Sequence, residues 1–132
     1  MGTDLLTTAT VCTQASDEGR MAFPEVIGLL IQAGIERYHA DFIQAHKTYY
    51  QADGTSVTVP SRAQGPVALE FSATGVAAAV QATASGAIGY AAFCDRLTQA
   101  GCAGYLVSLP GRRVVYYGRT AETHVEHFPP AL

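Results

Sequence analysis

Three polar side chains in the first half of the chain have types and a spacing suited to chemistry. His39 and Asp41 form a His-x-Asp motif, and His46 follows it. Residues two apart in a strand point to the same face, and a hairpin built from strands 36–43 and 46–51 places Asp41 opposite His46. Two imidazoles and a carboxylate can hold Zn²⁺ with one position open, or the carboxylate can orient a histidine as general base. Asp41→Ala is therefore expected to weaken ligand or metal binding with little effect on the melting temperature.

Two other arrangements of this hairpin stay open. The charged groups can hydrogen-bond one another on a solvated edge strand. Alternatively, a register shifted by one residue brings Lys47 instead of His46 opposite Asp41 and dissolves the cluster.

A second polar group stands near the end of the chain. Strand alternation directs His124 and Glu126 to one face and His127 to the other, so the three do not form a single chelate. We expect a polar terminal strand over about 122–128.

The strands 103–109 and 112–118 are joined by the turn dipeptide Pro110-Gly111. Closing this hairpin symmetrically places Tyr105 opposite Tyr116, and alternation places a second apolar set on the other face. One face is expected to pack on helices, and the other is left for a loop, a ligand or a second subunit. The candidate ligand-binding residues on that other face are Leu106, Val115 and Tyr117.

Arginines crowd the same hairpin, at positions 112, 113 and 119. Arginine next to tyrosine can stack on bases and pair with phosphates, but the chain carries eight basic and eleven acidic residues. An anionic small-molecule pocket, or arginine–carboxylate pairing across an interface, fits better. Arg113 is therefore a further candidate ligand-binding residue, and no nucleic-acid partner is expected.

The elements that position these residues follow an internal repeat. Gln32-Ala33-Gly34 and Tyr38 return as Gln99-Ala100-Gly101 and Tyr105 at one constant offset. A constant offset predicts two copies of one supersecondary unit, at about 1–66 and 67–132, related by a pseudo-twofold axis within a single domain.

Each copy is predicted to contain two helices followed by a meander of strands. The helices are expected near 4–15, 24–34, 73–84 and 90–100, with Ser72 capping the third. The second helix is expected to direct Val26, Ile27, Leu30 and Ile31 inward. In the first copy, a third strand is expected over 55–59. The prediction is an α+β fold with helices packed on one face of an antiparallel sheet.

Bulk composition narrows the possible partners. Hydrophobic residues make up 48% of the chain and charged residues 14%, against about 25% charged in an ordinary domain. So few charges suggest an apolar surface covered by a second copy, and hence a homodimer.

The net charge of −3 argues against nucleic acid and anionic membranes as partners, and no apolar run is long enough to span a bilayer. Without the features of a signal peptide at its start, the chain is expected to be cytoplasmic.

Three cysteines without a close pair favour neither a disulfide framework nor a zinc knuckle. Cys94 and Cys102 fall at positions where a free cysteine acts as a small buried hydrophobe. The sequence does not identify a cofactor.

The chain resembles the YbcV-like family of small bacterial proteins. The resemblance is carried by Tyr90 with Phe93-Cys94 and Leu97, by Ala100 to Tyr105, by Gly111-Arg112-Arg113, by Tyr116 to Arg119 and by Glu126-x-Phe128-Pro129. It implies an α+β fold and no established activity. Some members carry the label "phage envelope protein".

The leading functional prediction is a ligand-binding or protein-interaction module acting as a homodimer. One alternative is an enzyme that uses His39, Asp41 and His46 for acid–base or metal-assisted chemistry. The other is a structural protein of phage or prophage origin, which depends on the family label alone.

Overall fold

A computed structural model describes residues 4–130 and 132. Each half of this chain contributes two helices followed by three strands. In chain order the elements are α1 (Leu5–Asp17), α2 (Phe23–Gln32), β1 (Ile35–Asp41), β2 (His46–Gln51), β3 (Ser56–Pro60), α3 (Ala73–Ala84), α4 (Tyr90–Gln99), β4 (Cys102–Ser108), β5 (Arg113–Gly118) and β6 (Thr123–His127).

The helices begin and end where local chemistry directs them. Asp4 accepts a hydrogen bond from the Thr7 amide at the start of α1, and Ser72 accepts one from the Gly75 amide at the start of α3. These side chains satisfy amides that have no partner within the helix. Gly34 follows α2 with φ +74° and Gly101 follows α4 with φ +84°, a backbone conformation that glycine adopts without steric cost. The predicted Ser72 cap is confirmed.

The six strands form one antiparallel sheet in the order β3-β2-β1-β4-β5-β6. The predicted α+β class, with helices layered on one sheet face, is confirmed. Asp41 pairs with His46, and Tyr105 pairs with Tyr116. The alternative of an edge-strand hairpin is wrong for the first hairpin, because β1 lies at the centre of the sheet beside β4. That central pair meets at His39 and Leu106.

The core lies between the helices and the sheet, and tyrosines fill much of it. Tyr38 stacks on Tyr49 with ring centroids 5.1 Å apart, and Tyr105 packs edge-on against Tyr38 at 6.1 Å. Their hydroxyl groups find polar partners, as buried tyrosines generally do: Tyr49 with Thr13 at 2.9 Å and Tyr105 with Tyr90 at 2.8 Å.

One inward residue was predicted wrongly. Val26, Ile27 and Leu30 are buried in α2, but Ile31 is 62% exposed. At 3.6 residues per turn, Ile31 lies about 90° around the helix axis from the centre of that buried face. The periodicity of a helix this short does not separate the edge of its apolar stripe from the middle.

Candidate functional site

All seven predicted ligand-binding residues lie on the sheet face opposite the helices, here called the outer face. Their strand neighbours, such as Tyr38, Tyr49 and Val107, are buried on the helix side. Because side chains alternate along a strand, the two predicted sets share one surface once β1 pairs with β4. The seven are His39, Asp41, His46, Leu106, Arg113, Val115 and Tyr117.

A shallow groove of about 290 Å³ runs across the middle of the outer face. It gathers four of the predicted residues and adds two that were missed, Arg37 and Tyr50. Its lining is Arg37, His39, Tyr50, Leu106, Val115 and Tyr117. Arg37 lies two positions before His39 in the same strand, so alternation alone could have placed it on this face.

His39 and Tyr117 are joined across the groove. His39 Nε2 and Tyr117 Oη lie 2.6 Å apart, although their strands, β1 and β5, are separated by β4. The Tyr117 ring reaches His39 by crossing β4 at Gly104, where a Cβ atom would collide with the Tyr117 hydroxyl and with the Ala40 carbonyl. Glycine at that position therefore makes the contact possible.

The His39–Tyr117 pair is uncharged at neutral pH. Desolvation by burial lowers the pKa of His39, with His46 acting in the same direction and the Asp41 charge opposing it. Burial, followed by the Asp41 charge, raises the pKa of Tyr117 to about 12. A neutral imidazole and a phenol each keep a donor and an acceptor. The groove therefore presents hydrogen-bonding groups at its centre without a fixed charge there.

The Asp41 carboxylate is occupied by the turn between β1 and β2. Its Oδ1 accepts hydrogen bonds from the amides of Ile43, at 3.0 Å, and Gln44, at 3.1 Å. His46 has a buried Nδ1 without a hydrogen-bond partner. Asp41 thus stands opposite His46 in the sheet without accepting a hydrogen bond from its ring.

No group of three or more His, Cys, Asp or Glu side chains in the described ranges is arranged to hold a metal ion. The hypotheses that rest on His39, Asp41 and His46 as metal ligands or as an acid–base group gain no support from this geometry.

The two arginines of the outer face flank a serine. Arg37 of β1 pairs with Ser108 of β4, which in turn pairs with Arg113 of β5. The Arg37 guanidinium lies 4.0 Å from the centroid of the Tyr50 ring, and its Nε donates to Glu36 at 3.1 Å. Strands lie about 4.8 Å apart, so the backbones of Arg37 and Arg113 are separated by about 10 Å across the sheet. This end of the outer face is the part suited to an anion.

The remaining predicted polar residues and the cysteines lie elsewhere. His124 Nε2 lies 2.6 Å from Glu126 Oε2 on the helix side of β6, while His127 is exposed on the outer face. Cys94 and Cys102 are buried as expected, and burial raises the pKa of each thiol to about 11. Both are therefore protonated at neutral pH.

Fold and groove together define an α+β protein whose antiparallel sheet carries helices on one face and a shallow amphipathic groove on the other. A family model described as "Protein of unknown function (DUF1398)" matches residues 17–126, and the chain belongs to that family. The search of curated proteins found no match. The narrower resemblance to YbcV-like proteins stays a prediction.

No helix in the described part of the chain is both long and apolar enough to cross a membrane.

Proposed function

We propose that the protein is a binding module whose outer-face groove holds a small organic anion with an apolar body. The observation that carries this proposal is the composition of the groove. An apolar floor, a neutral hydrogen-bonding pair and a stacked arginine meet within about 290 Å³, the lower end of the size range of small-molecule sites.

Leu106 and Val115 would contact the apolar part of the ligand. They pair directly across β4 and β5 and stay half-buried without any helix over them. Covering apolar surface is favourable by roughly 25 cal/mol per Å². A ring or short alkyl chain on this floor would gain free energy from contacts that the folded chain leaves unmade.

Arg37 would bind the anionic group of the ligand. Its ion pair with Glu36 uses Nε, and in the described chain Nη1 and Nη2 donate no side-chain hydrogen bond. Stacking on Tyr50 holds the guanidinium plane in place, which reduces the side-chain entropy lost when a carboxylate binds. A carboxylate matches two parallel N–H donors better than a neutral group does.

The test is a titration of ¹⁵N-labelled protein with benzoate and hexanoate, followed by amide chemical shifts. Saturable shifts are expected in β1, β4 and β5, with much weaker binding of benzyl alcohol. Arg37→Gln should weaken benzoate binding about tenfold, since a charge-assisted hydrogen bond contributes roughly 1.5 kcal/mol. Arg96→Gln is the matched control, because Arg96 lies in the last turn of α4.

Two outcomes would refute the proposal. One is the absence of a saturable response to both carboxylates. The other is an equal loss of affinity in Arg37→Gln and Arg96→Gln, which would indicate nonspecific attraction of anions.

We also propose, as a second candidate, that the protein assembles as a homodimer. The apolar row of Leu106 and Val115 continues to Val125 on the edge strand β6, and Val125 is 40% exposed. Contiguous exposed apolar surface is typical of interaction sites. A second copy of this chain is the simplest occupant, since most soluble oligomers are homo-oligomers.

A further inference from the structure

The outer-face side chains of β1, β4 and β5 lie in rows that cross the strands. Each member of a row is the direct strand partner of the next. Residues two apart in a strand share a face, so neighbouring rows are about 7 Å apart. The first row contains Arg37 and Arg113, and the second contains His39, Leu106 and Val115. A cationic row therefore borders a largely apolar one.

The third row contains Asp41 and Tyr117, so the charge at this end of the outer face has the opposite sign. Burial raises the pKa of Tyr117, and the Asp41 charge acts in the same direction. A carboxylate is attracted to the first row and repelled near the third. The charges thus set the direction of an anionic ligand in the groove, with its anion at Arg37 and its other end toward Tyr117.

At that other end, His39 and Tyr117 use only part of their hydrogen-bonding capacity on each other. His39 Nε2 and Tyr117 Oη lie 2.6 Å apart. Both groups are neutral at neutral pH, because burial lowers the pKa of His39 and raises the pKa of Tyr117. Whichever of the two donates to the other, the pair keeps one donor and one acceptor for a ligand. A hydroxyl group both donates and accepts, so it matches this pair.

The second row favours an aromatic ring between the two ends of the ligand. Leu106 and Val115 are strand partners that stay half-buried without a helix over them. A ring with substituents at opposite positions holds a carboxylate and a hydroxyl at a fixed separation, comparable to the row spacing of roughly 7 Å. An alkyl chain of similar length would lose conformational entropy on binding, and the rigid ring avoids this cost.

We propose that the groove binds an aromatic carboxylate that carries a hydroxyl group at the opposite end of its ring. The carboxylate lies at Arg37, the ring lies on Leu106 and Val115, and the hydroxyl bonds both His39 and Tyr117. This assignment rests on the proposed function of the groove and narrows its ligand from organic anions in general to one chemical class.

Two acids that differ by one oxygen atom test the assignment. The folded ¹⁵N-labelled protein is titrated at pH 7 with phenylacetate and with 4-hydroxyphenylacetate, and amide shifts in β1, β4 and β5 give both affinities. The hydroxy acid should bind about fivefold more tightly, the gain expected of roughly one net hydrogen bond. 2-Hydroxyphenylacetate, whose hydroxyl lies beside the acid arm, should lack this gain. So should 4-carboxyphenylacetate, which directs a second anion toward Asp41.

A matched pair of variants locates the hydroxyl. Tyr117→Phe keeps the ring and removes the oxygen, and it should abolish most of the preference for the hydroxy acid. Tyr50→Phe loses the same atom at the arginine end of the groove, where the Tyr50 ring stacks on Arg37. The preference should persist in Tyr50→Phe even if the two affinities change together.

Equal binding of phenylacetate and 4-hydroxyphenylacetate by the wild type would overturn this inference and leave the anion-binding groove standing. Tighter binding of 4-carboxyphenylacetate than of the hydroxy acid would also overturn it, because the far end would then accept a charge. A preference that Tyr117→Phe leaves unchanged would refute the placement of the hydroxyl at His39 and Tyr117. The absence of saturable binding by any of the four acids would refute the proposed function as well.

Discussion

At the scale of single residues, the outer face depends on glycine as much as on its polar side chains. Gly104 gives Tyr117 room to cross β4 and reach His39. In the sequence, Gly104 belongs to a glycine-rich segment and Tyr117 to a tyrosine pair, and neither pattern indicates a contact with His39. Alternation predicted the face on which each side chain lies, but not which side chains touch.

A pH dependence of stability follows from His39. Its pKa is lowered below the ordinary value of 6.5 in the folded protein, so the unfolded chain binds a proton more readily. The contribution of this group to stability is complete above pH 6.5 and is lost as the pH falls through and below that value. We expect the melting temperature to decrease between pH 7 and pH 5.

His39→Gln should reduce that decrease in a thermal unfolding series. His127→Gln is the matched control on the exposed edge strand and should leave the pH dependence as in the wild type. A pH dependence that His39→Gln does not change would assign the effect to other groups.

At the scale of elements, the hairpin between β1 and β2 is held by Asp41. The two amides that its Oδ1 binds belong to the turn itself, an arrangement that short polar side chains favour. The sequence assigned Asp41 to ligand binding with little effect on stability, and the binding role stays a prediction. The hydrogen bonds to the turn amides favour an additional role in stability.

We therefore expect Asp41→Ala to lower the free energy of unfolding by about 1 kcal/mol, the usual effect of losing a side-chain cap on backbone amides. Asp41→Asn keeps an acceptor oxygen and should retain most of the stability. Urea denaturation of both variants measures the difference, and an Asp41→Ala protein as stable as the wild type would contradict a role in the turn.

At the scale of the whole molecule, the pairing of β1 with β4 is symmetric under the repeat offset. His39 meets its counterpart Leu106, while Arg37 meets Ser108 and Asp41 meets Gly104. The strand registers also shift at matching places, between Ile35 and Arg37 and between Cys102 and Gly104. The internal repeat and its pseudo-twofold axis stay a prediction, which this pairing supports.

The proposed homodimer is the prediction that belongs to this scale. Native mass spectrometry should give about twice the 13.9 kDa mass of the chain. Val125→Asp should shift the population to monomer, because a buried unpaired carboxylate opposes association. Thr58→Asp, on the other edge strand, is the control. A wild-type protein that is monomeric at micromolar concentration would contradict the proposal.

The sequence alone determined the helices, the turns and the sheet face of most strand residues. These features follow from local chemistry, such as the Ser72 cap, the glycines after α2 and α4, and the alternation of side chains along strands away from the two register shifts. Only the tertiary structure decided which surfaces combine. The β1–β4 pairing joins residues about 67 positions apart in sequence, and no local pattern encodes such a pairing. That pairing placed His39 within hydrogen-bond distance of Tyr117 and joined Arg37 to Leu106 and Val115 in one groove.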